Sequence, residues 1–191
     1  MRKNLLGDCV LVRDTSVMEI RSLTQADASA YWEARQQALK EEPLAFGSDA
    51  EEHRLSTVED TAERLSDSPE TSFTMGVFVG GAGGTKRELV GIATFVRGHS
   101  RKDRHKGHIV GVYLASAYRG RGFGRALLQA VIARAADGPV LEQILLGVST
   151  TQVAALRLYQ SLGFAVYGTE PRSLKVGSMY VDEHLMILKL R

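Results

Sequence analysis

Residues 118 to 128 read Tyr118-Arg119-Gly120-Arg121-Gly122-Phe123-Gly124-Arg125-Ala126-Leu127-Leu128, and this stretch decides how the rest of the chain is arranged. Gly120, Gly122 and Gly124 alternate with Arg121 and Phe123. Side chains are therefore missing where the backbone can adopt positive φ or press against a ligand. A helix follows, because Phe123, Leu127, Ala130 and Val131 fall at helical spacing with Leu128 and Ile132 beside them, while Arg125, Gln129 and Arg134 lie off that face. A loop that opens a helix offers free backbone N–H groups and the positive end of the helix dipole, a combination suited to phosphate. Arg119, Arg121 and Arg125 add charge.

Two familiar phosphate motifs do not fit. A dinucleotide fingerprint requires G-x-G-x-x-G, but the final position is Arg125 counting from Gly120 and Leu127 counting from Gly122. A P-loop requires Gly-Lys followed by Ser or Thr, and that triplet is missing here. The pattern present is R-x-x-G-x-G, from Arg119 through Gly122 to Gly124. Upstream lies an apolar strand, His108-Ile109-Val110-Gly111-Val112-Tyr113-Leu114. Downstream, Asp137-Gly138-Pro139 closes the helix and Ile144-Leu145-Leu146-Gly147-Val148 reads as a buried strand. Strand, helix and strand make a parallel crossover. The next helix runs from Gln152 to Leu162, with Ala155, Leu156, Tyr159 and Leu162 on one face, and stops at Gly163.

The strand ending Val112-Tyr113-Leu114, the R-x-x-G-x-G turn and the block from Gln152 through Leu158-Tyr159 to Gly163-Phe164 stand in the order found in the GNAT N-acetyltransferases. The turn resembles that family's acetyl-CoA pyrophosphate loop, and the last block resembles its N-x-x-A-x-x-L-Y-x-x-x-G-F pattern through Ala155, Leu158, Tyr159, Gly163 and Phe164. The likeness spans about Gly107 to Phe164. Two positions depart from it: Gln152 stands for the usual asparagine, and Ser116 for the usual proline.

The resemblance implies a mixed α/β fold with a V-shaped splay between two parallel strands of the central sheet, flanked by helices. Pantetheine would fill the splay like an added strand. Cofactor contacts are then expected from Val112, Tyr113, Leu114, Arg119, Gly120, Arg121, Gly122, Phe123, Gly124, Arg125, Gln152 and Tyr159. The Leu114 amide would stabilise the developing oxyanion. Tyr159 would give a proton to the departing thiolate; without the family register, a tyrosine spaced with Ala155 and Leu156 reads as a core aromatic. The activity implied is transfer of acetyl from acetyl-CoA to a primary amine of a small molecule or peptide, by direct attack. An acyl-CoA-binding regulatory module without turnover is the alternative. No base is named: the central strand offers His108 and Tyr113, while Glu33, Glu142, Asp182, Glu183 and His184 are scattered.

Around this centre, Val17 to Leu23 alternates like a first strand, Thr24 caps a helix over Gln25 to Lys40, and Pro43 ends it. A second helix is expected over Thr57 to Leu65. Ser72 to Gly80 and Leu89 to Gly98 form a hairpin with a glycine-rich tip. Phe164 to Gly168 and Tyr180 to Leu190 supply the last strands. Residues 1–16, which lack clear periodicity, read as a partly disordered N-terminal extension and 17–191 as one domain.

Acidic residues dominate from Glu41 to Glu70, either a solvated helical face or a rim that draws in a cationic amine. Trp32, Phe46 and Tyr180 read first as core positions, with an acceptor pocket as their second use.

Composition excludes several classes. With 191 residues, 44% of them hydrophobic and 24% charged, the chain can bury one sizeable core. A net charge of +2 exerts no strong pull on nucleic acid or membrane. The basic run from Arg97 to Lys106 lacks interleaved aromatics, so no nucleic-acid partner is expected. Cys9 stands alone, which fits a reducing, cytoplasmic setting and leaves no thiolate metal cluster. No metal and no membrane partner are expected, and the final strand could pair across a homodimer.

Overall fold

The structure is a computed structural model and describes residues 9–11, 16–66, 71–81, 87–138 and 140–190. The strands are β1 (Cys9–Leu11), β2 (Ser16–Ser22), β3 (Ser72–Gly81), β4 (Glu88–Arg97), β5 (Lys106–Leu114), β6 (Gln143–Ser149), β7 (Ala165–Val176) and β8 (Met179–Lys189). The helices are α1 (Ala28–Glu41), α2 (Ala50–Leu55), α3 (Val58–Ser66), α4 (Phe123–Ala136) and α5 (Val153–Ser161). All strands join one sheet in the order β1-β2-β3-β4-β5-β6-β8-β7. Every neighbouring pair is antiparallel except β5 and β6.

That exception carries the architecture. β5 and β6 pair only at Lys106 with Gln143, Gly107 with Ile144 and His108 with Leu145. Beyond those pairs β5 continues to Leu114 and β6 to Ser149 with no partner between them, so the sheet opens as a V. The expected splay is present.

Alternation along the strands builds a layer on each face. Val77, Ala93, Leu146 and Val148 turn toward α4 and α5, where Leu127, Leu128 and Val131 are fully buried. Phe78, Ile92 and Tyr113 turn the other way, against Ala38 of α1 and Leu23. Each fully buried leucine contributes about 1.5–3 kcal/mol, and α4 places two such residues on the sheet.

Helix starts follow their caps. Thr24 opens with a short 3-10 turn, Gln25–Asp27, before α1; its backbone N–H donates to the Asp27 carboxylate at 2.9 Å, and Arg21 grips the same carboxylate with two hydrogen bonds of 2.7 Å. Thr57 and Asp60 cap α3 reciprocally at 2.8 and 3.0 Å. Asp49 caps α2, a helix not anticipated from sequence, by accepting from the amides of Glu51 and Glu52 at 2.7 and 3.3 Å.

Several expectations shift. Cys9–Leu11, inside the segment read as an extension, pairs with Leu11 opposite Val17 as an edge strand; residues 1–8 and 12–15 lie outside the described residues. So does the expected hairpin tip at 82–86. β7 runs well past Gly168 because the chain stays paired with β8 across two irregularities, the second between Glu170 and Leu174, where Arg172 takes φ 55°. Tyr180 is 46% exposed and so is no core residue. Among the described residues no helix is long and apolar enough to cross a membrane.

Candidate active site

The open V leads into a cavity of about 450 Å³. β5 forms one wall, the end of β6 and α5 form another, and the glycine loop closes one end.

The loop is shaped by backbone conformation. Gly120 has φ 75° and Gly122 φ 85°, values that favour glycine, and no heavy atom lies within 4 Å of where a Cβ would stand at either position. Gly122 is the N-cap of α4, and its carbonyl accepts from the Ala126 amide at 3.0 Å. The amides of Phe123, Gly124 and Arg125 therefore begin the helix without intrahelical acceptors. Gly120, Gly122, Gly124 and Arg125 line the cavity, so an anion arriving there meets free N–H groups and a positive dipole end.

The Phe123 side chain instead enters the core at 4% exposure, and Arg121 lies exposed with its guanidinium 5.8 Å from the Tyr118 ring. Both contribute to the loop through backbone.

β5 turns polar backbone toward the gap. The Ala115 amide donates to the Val90 carbonyl at 2.8 Å, and Leu114 stands opposite Gly91. Antiparallel pairs alternate between bonded and non-bonded, so the N–H and C=O of Leu114 point away from β4 and into the opening. Val112, Tyr113 and Leu114 all line the cavity.

Tyr159 comes from α5. The helix stops because Gly163, at φ 94°, lets its own amide and that of Phe164 turn back onto the carbonyls of Gln160 and Tyr159 at 3.0 and 3.1 Å. Phe164 is thereby buried against the Tyr159 ring, edge to face with centroids 6.0 Å apart. The Tyr159 ring is fixed and 6% exposed, yet it lines the cavity and its hydroxyl has no hydrogen-bond partner among the described residues. Burial pushes its pKa up, so the phenol holds its proton at neutral pH.

A polar cluster spans the mouth. Arg119 donates from Nε to the Leu114 carbonyl at 2.9 Å and from Nη1 to Glu42 at 2.8 Å. Gln152 donates to the other Glu42 oxygen at 2.9 Å. Tyr113 donates to Glu41 at 2.9 Å; burial and this bond raise its pKa. Burial would raise the Glu42 carboxyl, but the hydrogen bonds from Gln152 and Arg119 outweigh it and hold its pKa below the usual range. The end of α1 is thus tied to the glycine loop and to α5.

Sequence reading saw Glu41 and Glu42 only as part of an acidic bias. The residues flanking Pro43 sit where α1 ends, and only the tertiary fold brings that end to Arg119. Phe46 does line the cavity, whereas Trp32 donates to the Ser56 carbonyl at 3.0 Å and stacks on His53. His108 is exposed.

Comparison with known proteins points the same way. The family model for "Acetyltransferase (GNAT) family" matches residues 28–164. An uncharacterized N-acetyltransferase of Mycobacterium bovis is 32% identical over 102 residues, which cover 53% of this chain and 61% of that protein. The chain thus matches less than two thirds of the length of its curated relatives. A GCN5-related N-acetyltransferase from Kribbella flavida superposes with TM-score 0.73 at 27% identity, over 91% of this chain and 98% of the other. A Salmonella typhimurium structure, solved with its cofactor acetyl-CoA, superposes with TM-score 0.76 at 24% identity over 91% and 94% of the two chains, a likeness of fold.

Proposed function

Because this chain belongs to the GNAT acetyltransferase family, we propose that it transfers the acetyl group of acetyl-CoA to a primary amine of a small molecule or peptide by direct attack on the thioester. One observation carries the proposal: the open V between β5 and β6, with a helix-opening glycine loop at one end and an unpartnered, protonated tyrosine in its wall.

The residues fit the donor. The amides at Gly120 to Arg125 suit a pyrophosphate, and the space beside Gly120 and Gly122 admits one without displacing a side chain. The unpaired edge of β5 suits the pantetheine amides, in the manner of an added strand. The Leu114 N–H serves the oxyanion that develops on the carbonyl, and Tyr159 protonates the departing thiolate. Gln152 lines the cavity and holds Glu42 through one amide N–H, which leaves its second N–H and its carbonyl for the pantetheine. Arg119 also lines the cavity, offering its backbone to the phosphate while its guanidinium holds the Leu114 carbonyl and Glu42.

A module that only binds acyl-CoA has no use for a proton donor in the wall, which favours turnover. The lone cysteine supports a cytoplasmic setting.

The test is thiol release from acetyl-CoA with a panel of L-amino acids, polyamines and short peptides. Amine-dependent release with an acetylated product is expected. Tight acetyl-CoA binding without release across the panel would assign the chain to the binding module.

A further inference from the structure

Attack requires a neutral amine, and an ordinary amine with pKa near ~10 arrives protonated. The cavity must therefore present a proton acceptor on the side from which the amine comes. We propose that Glu183 is this base, reaching the amine directly or through one water; the inference rests on the acetyltransfer reading above.

Glu183 belongs to β8, opposite Ser149 of β6, with Leu185 opposite Gly147. Leu146, Val148 and Met186 turn toward α4 and α5, so Gly147, Ser149, Glu183 and Leu185 turn to the opposite face. Gly147 has no side chain, and the Glu183 carboxyl occupies the space above it: Oε1 lies 3.4 Å and Oε2 3.8 Å from the position of a Cβ there. Gly147 and Ser149 both line the cavity, just beyond His108 and Leu145, where the strands part. The loop after α1 crosses the same face, where a Cβ at Gly47 would stand 3.9 Å from Leu174 Cδ2, and delivers Glu42 and Phe46 to the cavity. Tyr159 lines the cavity from the α4 and α5 side of the sheet, and the Glu183 carboxyl lies behind the Gly147 wall on the opposite face, from which one water would carry the proton.

Glu42 is the one carboxylate among the residues lining the cavity, and it and its acidic neighbours are committed. Both oxygens of Glu42 accept hydrogen bonds, from Arg119 and Gln152, and Glu41 accepts from Tyr113. Asp182 accepts from the Arg172 amide at 2.7 Å. In Glu183, Oε2 accepts from the Ser173 hydroxyl at 2.6 Å, which orients the group, and Oε1 is the oxygen nearer Gly147, a residue that lines the cavity. The groups facing it are Ser149 from β6 and Glu170 and Ser173 from β7. Among the described residues no lysine or arginine pairs with it.

Glu183 takes one proton from the ammonium and passes it to water. The nitrogen lone pair forms the C–N bond to the thioester carbonyl carbon as the C–S bond breaks. Tyr159 gives its proton to the thiolate and is reprotonated by the second proton that nitrogen sheds.

The experiment compares wild type and Glu183→Gln with the best alkylamine of the panel and with aniline, which is already neutral at pH 7. Loss of a positioned base costs about 10²–10⁴-fold. A drop of that order in kcat/KM is expected for the alkylamine, with the rising limb of its pH profile displaced to higher pH. Aniline should be much less affected, and the Kd of acetyl-CoA unchanged. Glu183→Asp should recover part of the rate, which a packing role would not predict. Equal losses for both amines, or a wild-type pH profile in Glu183→Gln, would overturn the assignment alone. Wild-type protein that binds acetyl-CoA but acetylates nothing would overturn the acetyltransfer reading, and this base with it.

Discussion

Replacing Gly122 by alanine isolates backbone conformation from crowding. At φ 85° with nothing within 4 Å of the added Cβ, the substitution meets no atom and costs only the left-handed conformation. That cost is about 1–2 kcal/mol for a residue with a side chain. In a chain of this size each kcal/mol moves Tm by about 2–4 °C, so Gly122→Ala should melt about 2–8 °C below wild type. Gly124 is the internal control. It lies inside α4, its φ is not positive, and its Cβ would touch Leu158 Cδ2 at 3.4 Å, an ordinary contact. Gly124 stands in the first turn of α4, where alanine is favoured over glycine by no more than the helix-interior value of about 0.5–1 kcal/mol, so Gly124→Ala should melt at or slightly above wild type. Differential scanning calorimetry of the three proteins without ligand decides the matter. Equal melting of Gly122→Ala and wild type, or a comparable fall in Gly124→Ala, would refute the division of roles between these two glycines.

Tyr159→Phe removes a hydroxyl that has no partner among the described residues, so thermal stability should hold while kcat falls about tenfold or more with an unchanged acetyl-CoA Kd; equal loss of affinity in calorimetric titration would return Tyr159 to a packing role. Leu127 is fully buried beneath α4, and Leu127→Ala should cost about 2–5 kcal/mol in urea unfolding. The paired hydrogen bonds from Arg21 hold the Asp27 carboxyl below its ordinary pKa. A depressed folded-state pKa stabilises above the unfolded value, near ~3.9, and this stabilisation is lost as pH falls through the folded value. Asp27→Asn should therefore be less stable than wild type at neutral pH and converge toward it in acid, as followed by denaturant midpoints across pH.

What the sequence disclosed and what it hid divide along range. Gly120, Gly122 and Gly163 announce their turns because the backbone conformation is a local property, and each has positive φ. The apolar faces of α4 and α5 are equally local, since period alone tells which side is buried. Helix α2 escaped notice because Ala-Glu-Glu-His-Arg-Leu has no apolar stripe; its Asp49 cap was the available signal. The role of Glu42 was invisible for another reason. Its partners Arg119 and Gln152 lie far along the chain, and an acidic residue after a helix usually faces water. Glu183 was visible only as one scattered carboxylate, because its position over Gly147 depends on the pairing of β8 with β6. The length of β7 was missed where Pro171 interrupts the pattern; pairing with β8 resumes at Leu174.

The short contact between β5 and β6 has a thermodynamic consequence. Five strands lie on one side of it and three on the other, and three residue pairs join them. A molecule that hydrogen-bonds to β5 within the gap would act as a suture between the half-sheets, so its binding energy would appear as resistance to unfolding. By mass action, a ligand at a hundred times its Kd adds about 2.7 kcal/mol. Melting curves with CoA, acetyl-CoA and longer acyl thioesters would then rank the donors by chain length before any acceptor is in hand.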